Sequence, residues 1–151
     1  MTSRPILQQI NIVSNDFEAA VGFYRLLGLD VNAGPPGWPP GTGGRHGDVA
    51  SDNGIQLDID NAEFARIWGH AGLKSGEPVI GFSLPTRDAV DDTYQALVAA
   101  GHPARLEPYD AFFGARYAIV SDPDGHNIGL MSPIDADRRL TPNRDGRPVT
   151  S

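Results

Sequence analysis

Apolar and polar residues alternate along Leu7-Gln8-Gln9-Ile10-Asn11-Ile12-Val13, which predicts a strand with one greasy face. The period then lengthens to that of a helix over Asp16 to Leu27, with Phe17, Ala20, Phe23, Tyr24 and Leu27 as its apolar stripe, and stops at Gly28. The same order returns roughly seventy residues on, a spacing that marks a duplicated unit. Val79 to Leu84 alternates, Asp88 to Ala100 carries Val90, Tyr94, Leu97 and Val98 as the buried stripe, and Gly101 closes the segment. Each copy of such a unit leaves a face that the other must cover, and function is sought on that face.

The remaining pattern is strands. Leu29 to Ala33 is a short one, followed by a loop from Gly34 to Gly44 too rich in Pro and Gly for regular structure. Asp48 to Ser51 and Gly54 to Asp60 flank Asp52-Asn53-Gly54, where Asn-Gly suits a tight hairpin. A connector over residues 62–77 carries a short helix at Ala62 to Gly69, and the second half repeats the layout with strands at Val79 to Leu84, Ala104 to Pro108, Arg116 to Ser121 and His126 to Met131. Asp122-Pro123-Asp124-Gly125 has the residue choices of a type I turn. The expected fold class is α+β, two βαβββ modules at about 5–61 and 78–133 in one domain spanning 1–133.

Composition narrows the class. A chain of 151 residues is expected to form one domain. It contains no cysteine, so disulfide scaffolds and thiol catalysis are excluded. The opening Met1-Thr2-Ser3-Arg4-Pro5 is not an export signal, and no apolar run approaches the roughly eighteen residues of a membrane span, so a soluble cytoplasmic protein is expected. Twelve Lys+Arg against 19 Asp+Glu, a formal charge of -7, disfavour a nucleic-acid partner. Arg138, Arg139, Arg144 and Arg147 are the nearest approach to a basic patch, in a tail over 134–151 whose composition predicts an extended or disordered segment.

Val13-Ser14-Asn15-Asp16, then Phe23-Tyr24-Arg25-Leu26-Leu27-Gly28, and near the end Asp122-Pro123-Asp124-Gly125-His126-Asn127-Ile128 occur at the right separation within the duplicated unit. Together they resemble the vicinal oxygen chelate superfamily, which holds glyoxalase I, ring-cleaving dioxygenases, fosfomycin resistance enzymes and bleomycin resistance proteins. The resemblance covers Ile6 to Pro133 and implies curved mixed sheets around a cavity, commonly in a symmetric dimer. It does not by itself imply a reaction.

Strand parity says which side chains line that cavity. Ile10, Ile12, Ile55, Leu57 and Ile59 fall on one face, with Gln9, Asn11, Gln56, Asp58 and Asp60 on the other. In the second half Ile80, Phe82, Leu84, Ile128 and Leu130 oppose Val79, Gly81, Ser83, Asn127, Gly129 and Met131. Metal-dependent members of the superfamily carry ligands at positions that align with Gln9, Gln56, Val79 and Gly129. The last two have no side-chain donor, and two amides beside one carboxylate, Asp58, make a poor cage for a divalent ion. The four histidines show no ligand spacing: His46 is placed in the Gly-rich loop, His70 in the connector, His102 after the second helix and His126 at a turn exit. No catalytic constellation is found, and neither metal nor cofactor is expected.

What remains is a hydrogen-bonding wall with aromatic groups on loops. The expected ligand-binding residues are Gln9, Asn11, Trp38, Gln56, Asp58, Phe113, Arg116 and Asn127, with Arg116 and Tyr117 facing opposite ways so that only one lines the site. The resulting expectation is a metal-independent binding protein that sequesters an antibiotic-like or aromatic compound, as a homodimer. The alternative is a diverged lyase, isomerase or dioxygenase whose metal is held by Gln9, Asp58 and either His46 or residues of a partner chain.

Overall fold

A computed structural model describes residues 4–69 and 77–142. In chain order the elements are β1 (Ile6–Ser14), α1 (Phe17–Leu27), β2 (Asn32–Ala33), β3 (His46–Ala50), β4 (Gln56–Asn61), α2 (Ala62–Gly69), β5 (Val79–Ser83), α3 (Arg87–Ala99), β6 (Ala104–Asp110), β7 (Arg116–Ser121) and β8 (Asn127–Met131). The βαβββ order therefore appears twice, as the repeated pattern predicts. The strands form one open mixed sheet of eight in the order β2-β3-β4-β1-β5-β8-β7-β6. Within each module the first strand runs parallel to the fourth, β1 with β4 and β5 with β8, while β1 and β5 pair antiparallel and join the two halves inside a single chain.

Both long helices start where a side chain replaces missing backbone partners. Asp16 accepts from the Ala19 amide and Thr86 from the Ala89 amide, each about three residues into the first turn as an N-cap requires. Gly28 ends α1 at φ 110°, a left-handed conformation that other residues adopt at a cost. The buried stripe of α1 differs from the sequence expectation: Phe17 and Val21 are buried with Ala20 and Tyr24 packed beside them, whereas Phe23 and Leu27 are 62% and 65% exposed. The helix is rotated so that the 17, 20, 21, 24 row faces the sheet. On α3, Val90 and Tyr94 are buried and Leu97 packs against them, but Val98 is turned outward for the same reason.

The two helices cover the outer face of the sheet with separate cores, α1 over Val31, Val49 and Ile59, and α3 over Leu84, Ala118, Val120 and Leu130. The third core lies on the inner face, where Phe64, Ala65, Ile67 and Trp68 of α2 meet Val13, Val79, Phe112, Tyr117 and Ile119. The second expected strand is shorter than predicted, Asn32–Ala33 only, and β3 starts two residues earlier, at His46. The β3–β4 hairpin closes through the Gly54 amide on Ser51 O with Gly54 at φ 84°, and the Asp122 turn closes through the Gly125 amide on Asp122 O. No helix among the described residues is long and apolar enough to cross a membrane.

The tail expected to be loose from residue 134 is held over its described part. Asp135 N donates to Gly114 O and Leu140 N to Phe112 O. A Cβ at Gly114 would come within 2.3 Å of Asp135 O, and Gly114 has φ 95°, so this close approach requires a glycine. Composition alone, polar and proline-rich, gave no sign of those two backbone bonds. Residues 143–151 and His70 lie outside the described residues.

Candidate functional site

The inner face of the sheet, α2, the Gly34–Gly44 loop and the tail enclose a cavity of about 410 Å³. Its floor is β1, β4 and β5: Gln9, Asn11, Gln56, Asp58, Asp60, Val79, Gly81 and Ser83 all line it, the polar set that alternation places on one face. Gln8 and Phe82 reach its edge as well, contrary to parity, because the β1–β5 register shifts between Leu7 and Gln9. The walls are aromatic. Trp38 lies 5.4 Å from Phe112 and 5.9 Å from Phe64 between ring centroids, and Phe113 lies 5.9 Å from Tyr117. Trp38 is brought there by Gly44, whose carbonyl accepts from the Gly37 and Trp38 amides and whose missing Cβ would otherwise collide with Trp38 O at 2.1 Å. Ile134, Arg139 and Leu140 of the tail complete the lining.

Six of the eight residues expected to bind ligand therefore line the cavity: Gln9, Asn11, Trp38, Gln56, Asp58 and Phe113. Two do not. Arg116 points away, where its guanidinium pairs with Asp91 at 2.8 Å and Asp110 at 3.2 Å, and it is Tyr117 that faces inward. Asn127 sits on the inner side of β8 but is 3% exposed, beneath the lining and opposite Val79 in the ladder. His46, Asp60, Phe64 and Trp68 join the lining from outside the expected set.

The polar floor is organised by two buried carboxylates. Asp58 Oδ1 accepts from Gln56 Nε2 at 2.7 Å, and its Oδ2 accepts from Gln9 Nε2. Asp60, with no exposed surface, accepts Trp68 Nε1 at 2.7 Å and Asn11 Nδ2 at 3.0 Å on Oδ2, while Oδ1 meets His46 Nδ1 at 2.6 Å. A carboxylate only accepts, so these contacts decide which way the three amides face. Burial pushes the Asp58 carboxyl up to about 6, against the opposing pull of the Gln56 N–H and His46 and with the added repulsion of Asp60 and Asp48. For His46 burial acts downward, but the hydrogen bond it donates to Asp60 and the fields of Asp60, Asp58 and Asp48 outweigh it and leave the imidazole raised. Burial also raises the Tyr117 hydroxyl.

The residues at the four superfamily ligand positions do not fit a divalent ion. Gln9 and Gln56 turn their N–H groups to Asp58, so both of its oxygens already have partners. Val79 offers a hydrocarbon. Any side chain at Gly129 would start with a Cβ 3.0 Å from both Tyr117 Oη and Val79 Cγ1. His46 turns Nδ1 to Asp60, and among the described residues the only grouping of three His, Asp or Glu with ligand atoms close together is Asp122, Asp124 and His126 on the turn.

Several solved structures share this fold. A variant of Streptomyces coelicolor methylmalonyl-CoA epimerase in complex with 2-nitronate-propionyl-CoA superposes with a TM-score of 0.55 at 21% identity, over 89% of this chain and 100% of that one. An NAD-dependent benzaldehyde dehydrogenase from Legionella pneumophila gives 0.61 at 15% identity, over 82% and 96%. A hypothetical protein from Bacillus halodurans gives 0.60 at 14%, over 88% and 97%. At these identities the likeness is one of fold. No curated protein matches the chain. The family model of the Glyoxalase/Bleomycin resistance protein/Dioxygenase superfamily matches residues 6–130, and with paired modules around a cavity the chain belongs to that superfamily.

Proposed function

We propose that the protein binds a small planar aromatic molecule in this cavity without a resident divalent ion, as a sequestering protein holds an antibiotic-like compound. The observation that carries the reading is the donor set. Val79 and Gly129 supply no ligand atom, and the amides of Gln9 and Gln56 are engaged with Asp58, leaving a hydrogen-bonding floor under aromatic walls. Trp38, Phe112 and Phe64 offer ring faces, and a cavity of about 410 Å³ is of the size that ligand pockets occupy.

The test combines metal analysis with fluorescence. Purified protein is expected to carry no stoichiometric divalent ion, and Trp38 and Trp68 emission is expected to be quenched by 4-nitroanisole equally with and without added metal. A bound ion lost on Gln9→Ala or Asp58→Ala, or emission unmoved by any aromatic probe, refutes the reading. We also place the protein in the cytoplasm as a homodimer. Phe23, Leu26 and Leu27 of α1, 62%, 92% and 65% exposed, are apolar surface that a second copy would cover. A monomer by sedimentation velocity refutes that part.

A further inference from the structure

His46 stands directly opposite Asp60 across the β3–β4 ladder, with Nδ1 2.6 Å from Oδ1. Asp60 is wholly buried, and its other oxygen is fixed by Trp68 Nε1 and Asn11 Nδ2. Because the carboxylate can only accept, the His46 proton sits on Nδ1 in the neutral ring, and Nε2 carries the free lone pair. The imidazole is further held by stacking on Phe64, 5.1 Å between centroids at 29°, and it forms part of the cavity lining. A ring whose tautomer and orientation are set by a buried carboxylate, beside an apolar space, is the arrangement that makes Nε2 a proton acceptor.

We propose that His46, positioned by Asp60, exchanges a proton with an aromatic hydroxyl of the molecule bound in the cavity. The O–H bond breaks, the Nε2–H bond forms, and the electron pair stays on oxygen. A phenolate then lies beside an imidazolium whose charge Asp60 balances, and the reverse step returns the proton with nothing else consumed. An aliphatic hydroxyl holds its proton too tightly for an imidazole to take, and a carboxylic acid arrives already ionised, with no proton to give. An aromatic hydroxyl lies between these, and its ring suits Phe64, Trp38 and Phe112. Three carboxylates, Asp60 and Asp58 on β4 and Asp48 on β3, surround the imidazole and favour its protonated form. His46 is the group that meets the ligand; Asp60 is a positioning residue.

The inference rests on the binding reading, and two probes of one shape separate them: 4-nitrophenol has the acidic proton and 4-nitroanisole lacks it. With wild-type protein, bound 4-nitrophenol is expected to show about a tenfold larger phenolate-to-phenol absorbance ratio than the free probe at the same pH, about one pH unit in its apparent ionisation. With 4-nitrophenol at saturation of each variant, His46→Gln is expected to return the bound ratio to that of the free probe, and Asp60→Asn to reduce the shift and change its pH profile. Nitrogen NMR of the wild-type protein needs no variant: His46 Nε2 should become protonated on adding 4-nitrophenol and not on adding 4-nitroanisole. Bound 4-nitrophenol with the free ratio, a shift that survives His46→Gln, an Nε2 signal unmoved, or binding of 4-nitroanisole but not 4-nitrophenol overturns the proposal. Failure of both probes to bind overturns the binding reading and the proposal with it.

Discussion

Asp58→Asn should flatten the fall in this protein's stability between about pH 4 and pH 7. The Asp58 carboxyl ionises near 6 in the fold against an ordinary value of 3.8, because it is buried. Its folded form thus holds a proton that the unfolded chain has given up, so its contribution to stability is present at low pH and is lost as pH rises through the interval from about 4 to 6. Working from those two values, the raised ionisation destabilises the fold, relative to an uncharged side chain, by about 3 kcal/mol at pH 7 and about 0.5 kcal/mol at pH 4. An Asn side chain removes the charge but keeps only one acceptor for the Gln9 and Gln56 amides, which costs about 1 kcal/mol at any pH. The variant should therefore be more stable than wild type by about 2 kcal/mol at pH 7 and slightly less stable at pH 4, with the curves crossing between. His46, whose ionisation is raised, loses its stabilising contribution as pH rises through its folded value, in the same direction as Asp58. Urea unfolding at intervals from pH 4 to 8 measures both curves, and wild type and variant running parallel across that range would sink the argument.

Three further outcomes follow from named contacts. Gly129→Ala sets a Cβ 3.0 Å from Tyr117 Oη and Val79 Cγ1 and should lower stability by about 1–3 kcal/mol; a thermal midpoint unchanged from wild type contradicts the packing described. Trp68→Phe removes one of the donors to buried Asp60 and should cost about 1.5–3 kcal/mol in urea unfolding at pH 7; an unchanged midpoint contradicts the hydrogen bond described. Arg116→Ala breaks a partly exposed pairing with Asp91 and Asp110 on the outer side and should cost less than about 1 kcal/mol, leaving 4-nitroanisole binding intact; a weakened affinity would place Arg116 at the cavity after all.

The fold was legible because its determinants are local. Alternation, helical period, Asp16 and Gly28 at the ends of α1 and the Asp122-Pro123-Asp124-Gly125 turn each act within a few residues, and the order and type of the elements follow them, with strand ends such as those of β2, β3 and β6 shifted by two or three residues. The floor of the site was legible for the same reason, since parity along β4 puts Gln56, Asp58 and Asp60 on one side. The facing of His46 was not. A two-residue Asn53-Gly54 loop sets Asp52 across from Ile55 and hence His46 across from Asn61, whereas the observed turn closes from Ser51 to Gly54 and sets His46 across from Asp60. One residue of register reverses every side chain on a strand. Arg116 shows the same sensitivity, for alternation left the choice between Arg116 and Tyr117 open and only the β7–β8 pairing, Tyr117 with Met131, resolves it. The tail's docking on Gly114 and Phe112 depends on backbone groups that carry no residue-specific signal.

The seam between β1 and β5 also bears on how the ligand proposed above would enter. Spreading the modules apart would tear a backbone ladder running from Ile6–Ser83 to Asn11–Val79, so the halves act as one continuous shell. Admission of that ligand would then depend on the segments outside the sheet that line the cavity, the loop carrying Trp38 and the tail carrying Ile134, Arg139 and Leu140.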